Sequence, residues 1–355
     1  MANRIFDLRE TKGQFQLNGH ISGTAKEKFY TTKKTRNGND FRRVNFGCEY
    51  DDKKTVYLSL NGMPQQNVYF SKRDPKNKKT ETKAVPWVNR NKFSEEGFRM
   101  IGVSLGLTKT TDKEGNIVNL KKIMAPYDAC EEIKKELKDE SSVFIRGNLE
   151  YSTFTNDKGE VNRSLNYVPN QISLYKESID FGKYDEEHQP KHDFEQEIVF
   201  IGISKEKDEN DRDTGRFVVE AKIITYSDIV DTEFIVVNPR FAANMKKTLK
   251  PYHSILVHGH IEVTHNIQDV EEDDGWGDAN PLKAISGSTK IEMVITGADK
   301  DSIDTESYDE KSVTDAIKKI RAAKDANNKF VANDNDDADW GDESTDAVED
   351  DDTPW

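Results

Sequence analysis

The chain has 355 residues, of which 33% are charged and 34% hydrophobic, a balance that favours two modest domains and a charged tail over one large core. Its two cysteines show no C-x-x-C spacing and no secretory or transmembrane segment is evident, which argues against a zinc site and points to a reducing, cytoplasmic setting. The net charge of −14 would argue against a nucleic-acid partner if the charge were spread evenly.

The charge is distributed unevenly along the chain. Residues 1–180 hold 32 Lys and Arg against 24 Asp and Glu, a net +8, whereas residues 181–330 and residues 331–355 each carry −11. Because electric fields are felt within a Debye length of roughly 10 Å, the local balance of charge matters more than the total. We therefore expect the amino-terminal half to be the part that meets an anionic partner.

In chain order, the predicted elements of the first half recur in the second half. Residues 133–138 and 142–150 match residues 245–250 and 254–262 without a gap, at a constant offset of 112. Upstream, the strand patterns of the two halves match at offsets near 177 to 182. Each half reads strand, strand, strand, short helix, strand, strand, which indicates an internal duplication.

Five strands with a helix between the third and the fourth is the order of the OB-fold, a small Greek-key barrel that binds oligonucleotides. Glycines within the predicted strands permit the bulges and bends of a tightly curved barrel, and they are Gly19, Gly147, Gly202 and Gly259. The predicted fold is therefore all-β, with two tandem OB-like barrels, short helices and a disordered acidic C-terminal tail. The predicted domains are 1–180 and 181–300, followed by a linker with a short helix at 301–330 and the tail at 331–355.

The first copy carries about 65 additional residues between its third strand and its helix, at about residues 61–126. This insertion holds thirteen Lys and Arg against six acids, with aromatic residues interleaved. A long loop without function is uncommon in a compact domain, so we expect the insertion to take part in binding. Within it, residues 98–107 are expected to form a strand that pairs with residues 117–124.

Strand phase predicts an outer face on the first copy that mixes aromatic rings, guanidinium groups and amides. Stacking of a base on a ring is worth roughly 1–3 kcal/mol and tolerates any sequence, while Lys and Arg track the phosphates. The predicted DNA-binding residues lie on this face, on the basic turn before it and on the insertion: Lys33, Lys34, Arg36, Phe41, Arg43, Tyr57, Lys72, Arg73, Lys78, Lys79, Lys83, Trp87, Arg90, Lys92, Phe144 and Arg146. For any single ring, packing in the core or under the insertion is the alternative.

The second copy is expected to have lost this face. Aligned by position, Tyr57 corresponds to Phe234 and Ser59 to Val236, which predicts an apolar, uncharged face that packs against protein. Its partner is the first copy, a second subunit, or a helix predicted for residues 312–323. The histidines of this copy lack the spacing of metal ligands, so we expect no metal and no cofactor.

The tail at residues 331–355 carries eleven acidic residues and no Lys or Arg, so it is not expected to fold alone. Its last six residues, D-D-D-T-P-W, resemble the acidic tips of bacterial and bacteriophage single-stranded DNA-binding proteins, which often end in Pro and Phe. The final residue here is Trp instead of Phe. The residues expected to bind a partner protein are Asp350, Asp351, Asp352, Pro354 and Trp355. A solubilising low-complexity end is the alternative.

The resemblance implies a non-enzymatic protein that protects single-stranded DNA and recruits replication, recombination and repair proteins through its tail, in a bacterial or phage-infected bacterial cell. The residues themselves show no P-loop, nuclease carboxylate cluster or activated Cys or Ser. An RNA-binding OB-fold protein and a structural or assembly protein with an acidic tail are the alternatives. No membrane partner is expected, and a homo-oligomer is left open.

Overall fold

The computed structural model describes residues 4–35, 38–74, 76, 78–155, 161–183, 190–208, 210–265 and 289–333. The strands of the first half are β1 (Gly13–Ser22), β2 (Tyr30–Lys34), β3 (Asp40–Asp51), β4 (Lys54–Gly62), β5 (Asn67–Arg73), β6 (Thr80–Pro86), β7 (Arg99–Met100), β8 (Val103–Thr111), β9 (Ile117–Met124), β10 (Ser142–Thr155) and β11 (Val161–Leu174), with helix α1 (Pro126–Glu136) before β10. The second half contains β12 (His192–Lys207), β13 (Asp213–Ile224), β14 (Ile229–Val236), β15 (Ser254–His265) and β16 (Thr289–Asp304), with helices α2 (Pro239–Thr248) and α3 (Glu310–Asn333).

The first barrel closes in the strand order of an OB-fold. β1 pairs with β3 and β10, β3 pairs with β4, β4 lies parallel to β11, and β11 pairs with β10. α1 follows the insertion and packs on β3 and β4. Alternate residues of the barrel strands are buried in the interior, among them Leu17, Phe46, Leu58, Ile145 and Ile172.

The second barrel repeats this arrangement. β12 pairs with β13 and β15, β13 with β14, β14 lies parallel to β16, and β16 pairs with β15, with α2 between β14 and β15 in sequence. α2 begins at Pro239, and the side chain of Asn238 caps it by accepting hydrogen bonds from the first backbone amides. The prediction of two tandem OB-like barrels is confirmed by this shared strand order.

The two barrels share one continuous sheet. β1 pairs antiparallel with β12, and Phe15 lies directly opposite Phe194. Both residues also pair with a bulge glycine of their own barrel, Phe15 with Gly147 and Phe194 with Gly259, so they hold equivalent positions. A pseudo-two-fold axis therefore passes between them, and a single hydrophobic core extends through both barrels.

The glycines within the strands lie where the sequence predicts bends. The strand register shifts at Gly147, Gly202 and Gly259, as it does at β-bulges. At Gly19 a Cβ atom would lie 1.9 Å from the carbonyl oxygen of Glu49, so β1 and β3 approach each other too closely for a side chain. At Gly147 and Gly259 a Cβ atom would likewise lie within 2.2 Å of a backbone oxygen, whereas at Gly202 it would meet nothing closer than 3.9 Å, so the barrels depend on glycine at the first two of these bulges.

The insertion forms two structures. β8 and β9 make a hairpin whose first strand runs parallel to β11 and adds Val103, Leu105 and Leu107 to the core. The predicted pairing between residues 98–107 and 117–124 is confirmed, although the strand begins at Val103. β5, β6 and β7 form a separate three-stranded sheet, which we call the finger sheet.

The N-terminal segment and α3 pack together on the outside of the second barrel. Phe6 and Leu8 form a buried cluster with Val313 and Ile320 of α3 and with Tyr308, which lies in the loop before α3. The predicted helix at residues 312–323 is part of α3, and it covers the second barrel. No helix in the part of the chain that the structure describes is long and apolar enough to cross a membrane.

Candidate nucleic-acid interface

The outer face of β3 and β4 brings together three of the predicted binding residues. Phe41, Arg43 and Tyr57 project there, on the side opposite to the barrel interior. The guanidinium carbon of Arg43 lies 5.6 Å from the ring centroid of Phe41, and its Nε donates to Oδ1 of Asn61 at 2.7 Å. Tyr57 is 48% exposed. We call this patch, which combines two rings and a cation, the barrel face.

A basic hairpin adjoins the barrel face. Lys33 and Lys34 of β2 are exposed and pair with Phe41 and Asp40 of β3. Lys33 therefore lies beside the first ring of the barrel face, at the end of the barrel from which the insertion leaves β4, whereas Lys34 lies on the other side of the sheet with Asp40. Arg36, predicted for the same turn, lies outside the described residues.

Phe144 and Arg146 lie on β10, across β1 from the barrel face. Arg146 is exposed and its Nη2 donates to Oε1 of Gln14 at 2.5 Å. The ammonium group of Lys191 lies 5.8 Å from the ring centroid of Phe144. These two residues therefore form a second patch rather than an extension of the first, and their role in binding stays a prediction.

The tip of the β5–β6 hairpin presents cations to solvent. Arg73, Lys78 and Lys79 are exposed there. The turn is closed by backbone hydrogen bonds between Asp74 and Lys79 at 2.9 Å and from Lys78 to Asp74 at 3.0 Å. Lys78 has a φ of 58°, a conformation that side chains other than glycine adopt rarely. The charges of this tip are therefore held on a defined turn.

Two other predicted cations of the finger sheet are held by neighbouring groups. Nζ of Lys83 lies 2.5 Å from Oε1 of Glu95 and 4.3 Å from the ring centroid of Phe98. The hydrogen bond to Glu95 raises the pKa of Lys83. Lys72 donates to the backbone carbonyl of Glu96 at 3.0 Å. The charge of Lys83 is therefore partly neutralised, and the ammonium group of Lys72 already has a hydrogen-bond partner, in the protein without a ligand.

Trp87 and Arg90 fasten the finger sheet to α1. The Arg90 guanidinium lies 4.1 Å from the Trp87 ring centroid and donates to both carboxylate oxygens of Asp128, at 2.6 and 2.9 Å. These hydrogen bonds raise the pKa of Arg90. The Trp87 ring also meets Tyr127 edge-on, with centroids 6.0 Å apart. Their contribution to binding stays a prediction, as does that of the exposed Lys92.

The equivalent face of the second barrel is charged, with Lys222 paired to Asp231 on it, so the expectation of an apolar, uncharged face is wrong. Phe234 and Val236 are fully buried, and Phe234 pairs with the buried Val219. The sequence alignment is one residue out of register at this strand, and such a slip turns every side chain to the opposite face. The outer face instead carries Glu220 and Glu233, exposed and directly opposite each other.

Two exposed residues of the finger sheet, Tyr69 and Arg99, lie outside the set predicted from the sequence. The alternation around Tyr69, between the buried Val68 and Phe70, separates it from the core and is a signal that the sequence contains. Arg99 has no comparable signal because its strand is two residues long. Among the described residues, no group of three or more His, Cys, Asp or Glu is placed to hold a metal ion.

Comparison with known proteins gives a family and two distant structural matches. The wild-type single-stranded DNA-binding protein from Thermus aquaticus is 10% identical, with a TM-score of 0.38 over 82% of this chain and 93% of that chain. A deletion mutant of the same protein is 9% identical, with a TM-score of 0.38 over 85% and 98%. No curated protein matches the sequence. The family model described as YorF matches residues 16–337, which span both barrels and α3, and the chain belongs to the YorF family.

Proposed function

We propose that this chain is a non-enzymatic, sequence-tolerant single-stranded DNA-binding protein whose first barrel holds the strand. The observation that carries the proposal is the barrel face, where Phe41, Arg43 and Tyr57 line the same outer side of β3 and β4. These are the second and third strands of the barrel, whose outer face binds oligonucleotides in OB-folds. The rings would stack on unpaired bases of any sequence, and the guanidinium would pair with a phosphate.

The charge distribution supports placing the strand on the first barrel. Residues 1–180 carry a net +8, and the hairpins around the barrel face add exposed lysines. On the second barrel, Glu220 and Glu233 occupy the corresponding outer face and would repel phosphates. The second barrel then contributes rigidity through the shared sheet and through the packing of α3.

Fluorescence anisotropy with labelled oligo-dT, the matched duplex and a matched RNA oligomer tests this assignment. We expect tight binding of oligo-dT at low salt, with a log–log salt slope of about −0.7 for each phosphate neutralised. Duplex should bind more weakly, since stacking needs unpaired bases. Equal affinity for duplex would contradict the assignment, and tighter binding of the RNA oligomer would favour the RNA-binding alternative.

We also propose that the acidic tail recruits replication, recombination or repair proteins. The tail lies outside the described residues, and the proposal is supported by its tip, where the Trp355 ring follows the carboxylates of Asp350 to Asp352. An aromatic ring fills a pocket and a carboxylate pairs with a basic residue. A pull-down from bacterial cell extract compares the full chain with a variant lacking Pro354 and Trp355. We expect capture of partners to be lost, and an identical captured set would contradict recruitment.

A further inference from the structure

The finger sheet has one packed side and one uncovered side. Its packed side buries Val68, Phe70 and Val85, against which Phe93 and Phe98 pack. Since successive residues of a strand point to opposite sides, the neighbours of these residues project away from that core. The uncovered side, which we call the bare face, is formed by Tyr69, Ser71, Arg73, Thr80, Thr82, Ala84, Arg99 and Ile101.

The bare face is open to solvent across all three strands. Tyr69 is 44% exposed and Ile101 57% exposed. The other members are also exposed, except for the half-buried Ser71. A sheet face with an exposed tyrosine and an exposed isoleucine next to each other is a surface on which a flat ligand gains contact area.

The charge of the bare face is positive. It carries the guanidinium groups of Arg73 and Arg99. Arg99 lies opposite Ser71, which is midway between Tyr69 and Arg73 on β5. Within the described residues, neither guanidinium group has an ion-pair partner. The one acid of these three strands, Glu81, lies on the packed side, opposite Lys72 in the strand register and 3.8 Å from the ammonium group of Lys83. The bare face therefore complements an anionic ligand, and guanidinium groups suit phosphate oxygens in particular.

We propose that the bare face is a second contact surface for single-stranded DNA, distinct from the barrel face, an inference that rests on the proposed function. Tyr69 stacks on a base, and Arg73 and Arg99 bind the phosphates on either side. The hydroxyl groups of the face donate to phosphate oxygens, which positions the strand without reading its sequence. This assigns the stacking role in the insertion to Tyr69, whereas Trp87 holds the finger sheet in place.

Strand length separates the two surfaces experimentally. A second surface on the same protein acts at a high effective concentration, but only on a strand long enough to reach both. The double variant Tyr69→Ala with Arg99→Gln is compared with the wild type on oligo-dT of about 8 and about 30 nucleotides, lengths within and beyond the site of about 4–16 nucleotides that one OB-fold covers. We expect affinity for the long strand to fall by about 5- to 150-fold, the range for loss of one stacked base, and affinity for the short strand to stay unchanged.

Two controls show that a loss arises from the bare face. Tyr69→Phe keeps the ring and should bind the long strand like the wild type, whereas Lys113→Gln removes one exposed charge from the β8–β9 turn and should change little. Circular dichroism checks that each variant is folded. If the wild type binds the long strand and the double variant binds it equally well, the inference is overturned while the proposed function stays intact. A double variant that changes the sedimentation coefficient instead would make the bare face an interface between copies, which also overturns it.

Discussion

Stacking and charge are separable at the level of single residues on the barrel face. Tyr57→Ala should lower affinity for oligo-dT by about 1–3 kcal/mol with the salt slope unchanged, since a ring contributes stacking without charge. Arg43→Gln should reduce the magnitude of the salt slope by about 0.7. Anisotropy titrations over a series of salt concentrations measure both. Tyr226→Ala, which removes a 50% exposed tyrosine from the second barrel, is the matched control and should leave binding unchanged.

His192 illustrates how one residue joins the barrels. Its ring stacks on Tyr50 of the first barrel, with centroids 4.5 Å apart and planes 9° apart. Its Nδ1 lies 2.7 Å from the carbonyl oxygen of Ile261, and because a carbonyl only accepts, Nδ1 carries a proton. Burial lowers the pKa of His192, so the folded chain favours the neutral ring.

Acidification should therefore lower the stability of the folded protein through His192, which joins the two barrels. In the unfolded chain this group takes up a proton near pH 6.5, while the folded chain resists uptake, so its stabilising effect is present above about pH 6.5 and is lost as the pH falls. His192→Phe keeps the stacking on Tyr50 and should show a smaller drop in Tm between about pH 7.5 and pH 5.5 than the wild type. Equal drops in the two proteins would contradict this role of His192.

Among the structural elements, the bulged strand β10 offers the sharpest test of the barrel geometry. A Cβ atom at Gly147 would lie 2.2 Å from the carbonyl oxygen of Val168 and 2.6 Å from ring atoms of Phe15, whereas one at Gly202 would meet nothing closer than 3.9 Å. Gly147→Ala should lower the free energy of unfolding by about 1–3 kcal/mol, and Gly202→Ala by about 0.5 kcal/mol or less. Urea denaturation measures both, and equal losses would show that the backbone at Gly147 gives way freely.

The β5–β6 hairpin carries two exposed lysines at its tip, Lys78 and Lys79, and a third lysine, Lys83, that is held by Glu95. Replacing Lys78 and Lys79 by Gln should reduce the magnitude of the salt slope for oligo-dT by about 0.7 for each lysine. Lys83→Gln should change the slope less, because Glu95 already holds that ammonium group. Salt titrations of the double and single variants check this ordering. A larger effect of Lys83 would show that Glu95 releases it when DNA binds.

Local sequence patterns predicted most of the strands and helices, whereas features that depend on tertiary contacts were not predicted. Alternating apolar residues and glycines in strands predicted the barrels and the β8–β9 hairpin, because both patterns repeat within a few residues. The position of Phe234 was not predictable, since one uncertain residue in the alignment reverses the face of a strand. Likewise, the contacts of Trp87 and Arg90 with α1 join parts of the chain that are about 40 residues apart, which no local pattern records.

For the whole molecule, the acidic tail should oppose DNA binding, because it follows a helix that is held against both barrels. That helix, α3, bridges the barrels, since Nζ of Lys324 donates to Thr153 of β10 and to Asp228 of the second barrel, each at 2.8 Å. The tail begins after α3, and eleven tethered acids compete with phosphates at a high effective concentration. Deleting residues 334–355 should raise affinity for oligo-dT, most at low salt. A tail of equal length with its acids changed to amides is the control and should behave like the deletion; unchanged affinity in both would contradict competition.

The sequence predicted the duplication of the whole molecule but not how its halves join. A repeat offset is visible in one dimension, whereas the pairing of β1 with β12 connects residues about 180 positions apart. The contact of the N-terminal segment with the loop before α3 joins residues 299 positions apart: the Tyr308 hydroxyl donates to the carbonyl oxygen of Arg9 at 2.9 Å. Neither contact has a sequence signature, because pairing between distant strands and segments depends on the assembled surfaces.

The pairing of β1 with β12 also determines when the protein can finish folding during its synthesis. β1 leaves the ribosome early, yet one of its edges stays open until His192 and the rest of β12 have been made. Such an open edge is a template for pairing with another nascent chain. The segment with Phe6 and Leu8 stays uncovered longer still, because α3 is made only after both barrels. A chain that stops near residue 180 would therefore expose both an unpaired strand edge and the apolar Phe6 and Leu8, and it would aggregate rather than yield a soluble single barrel.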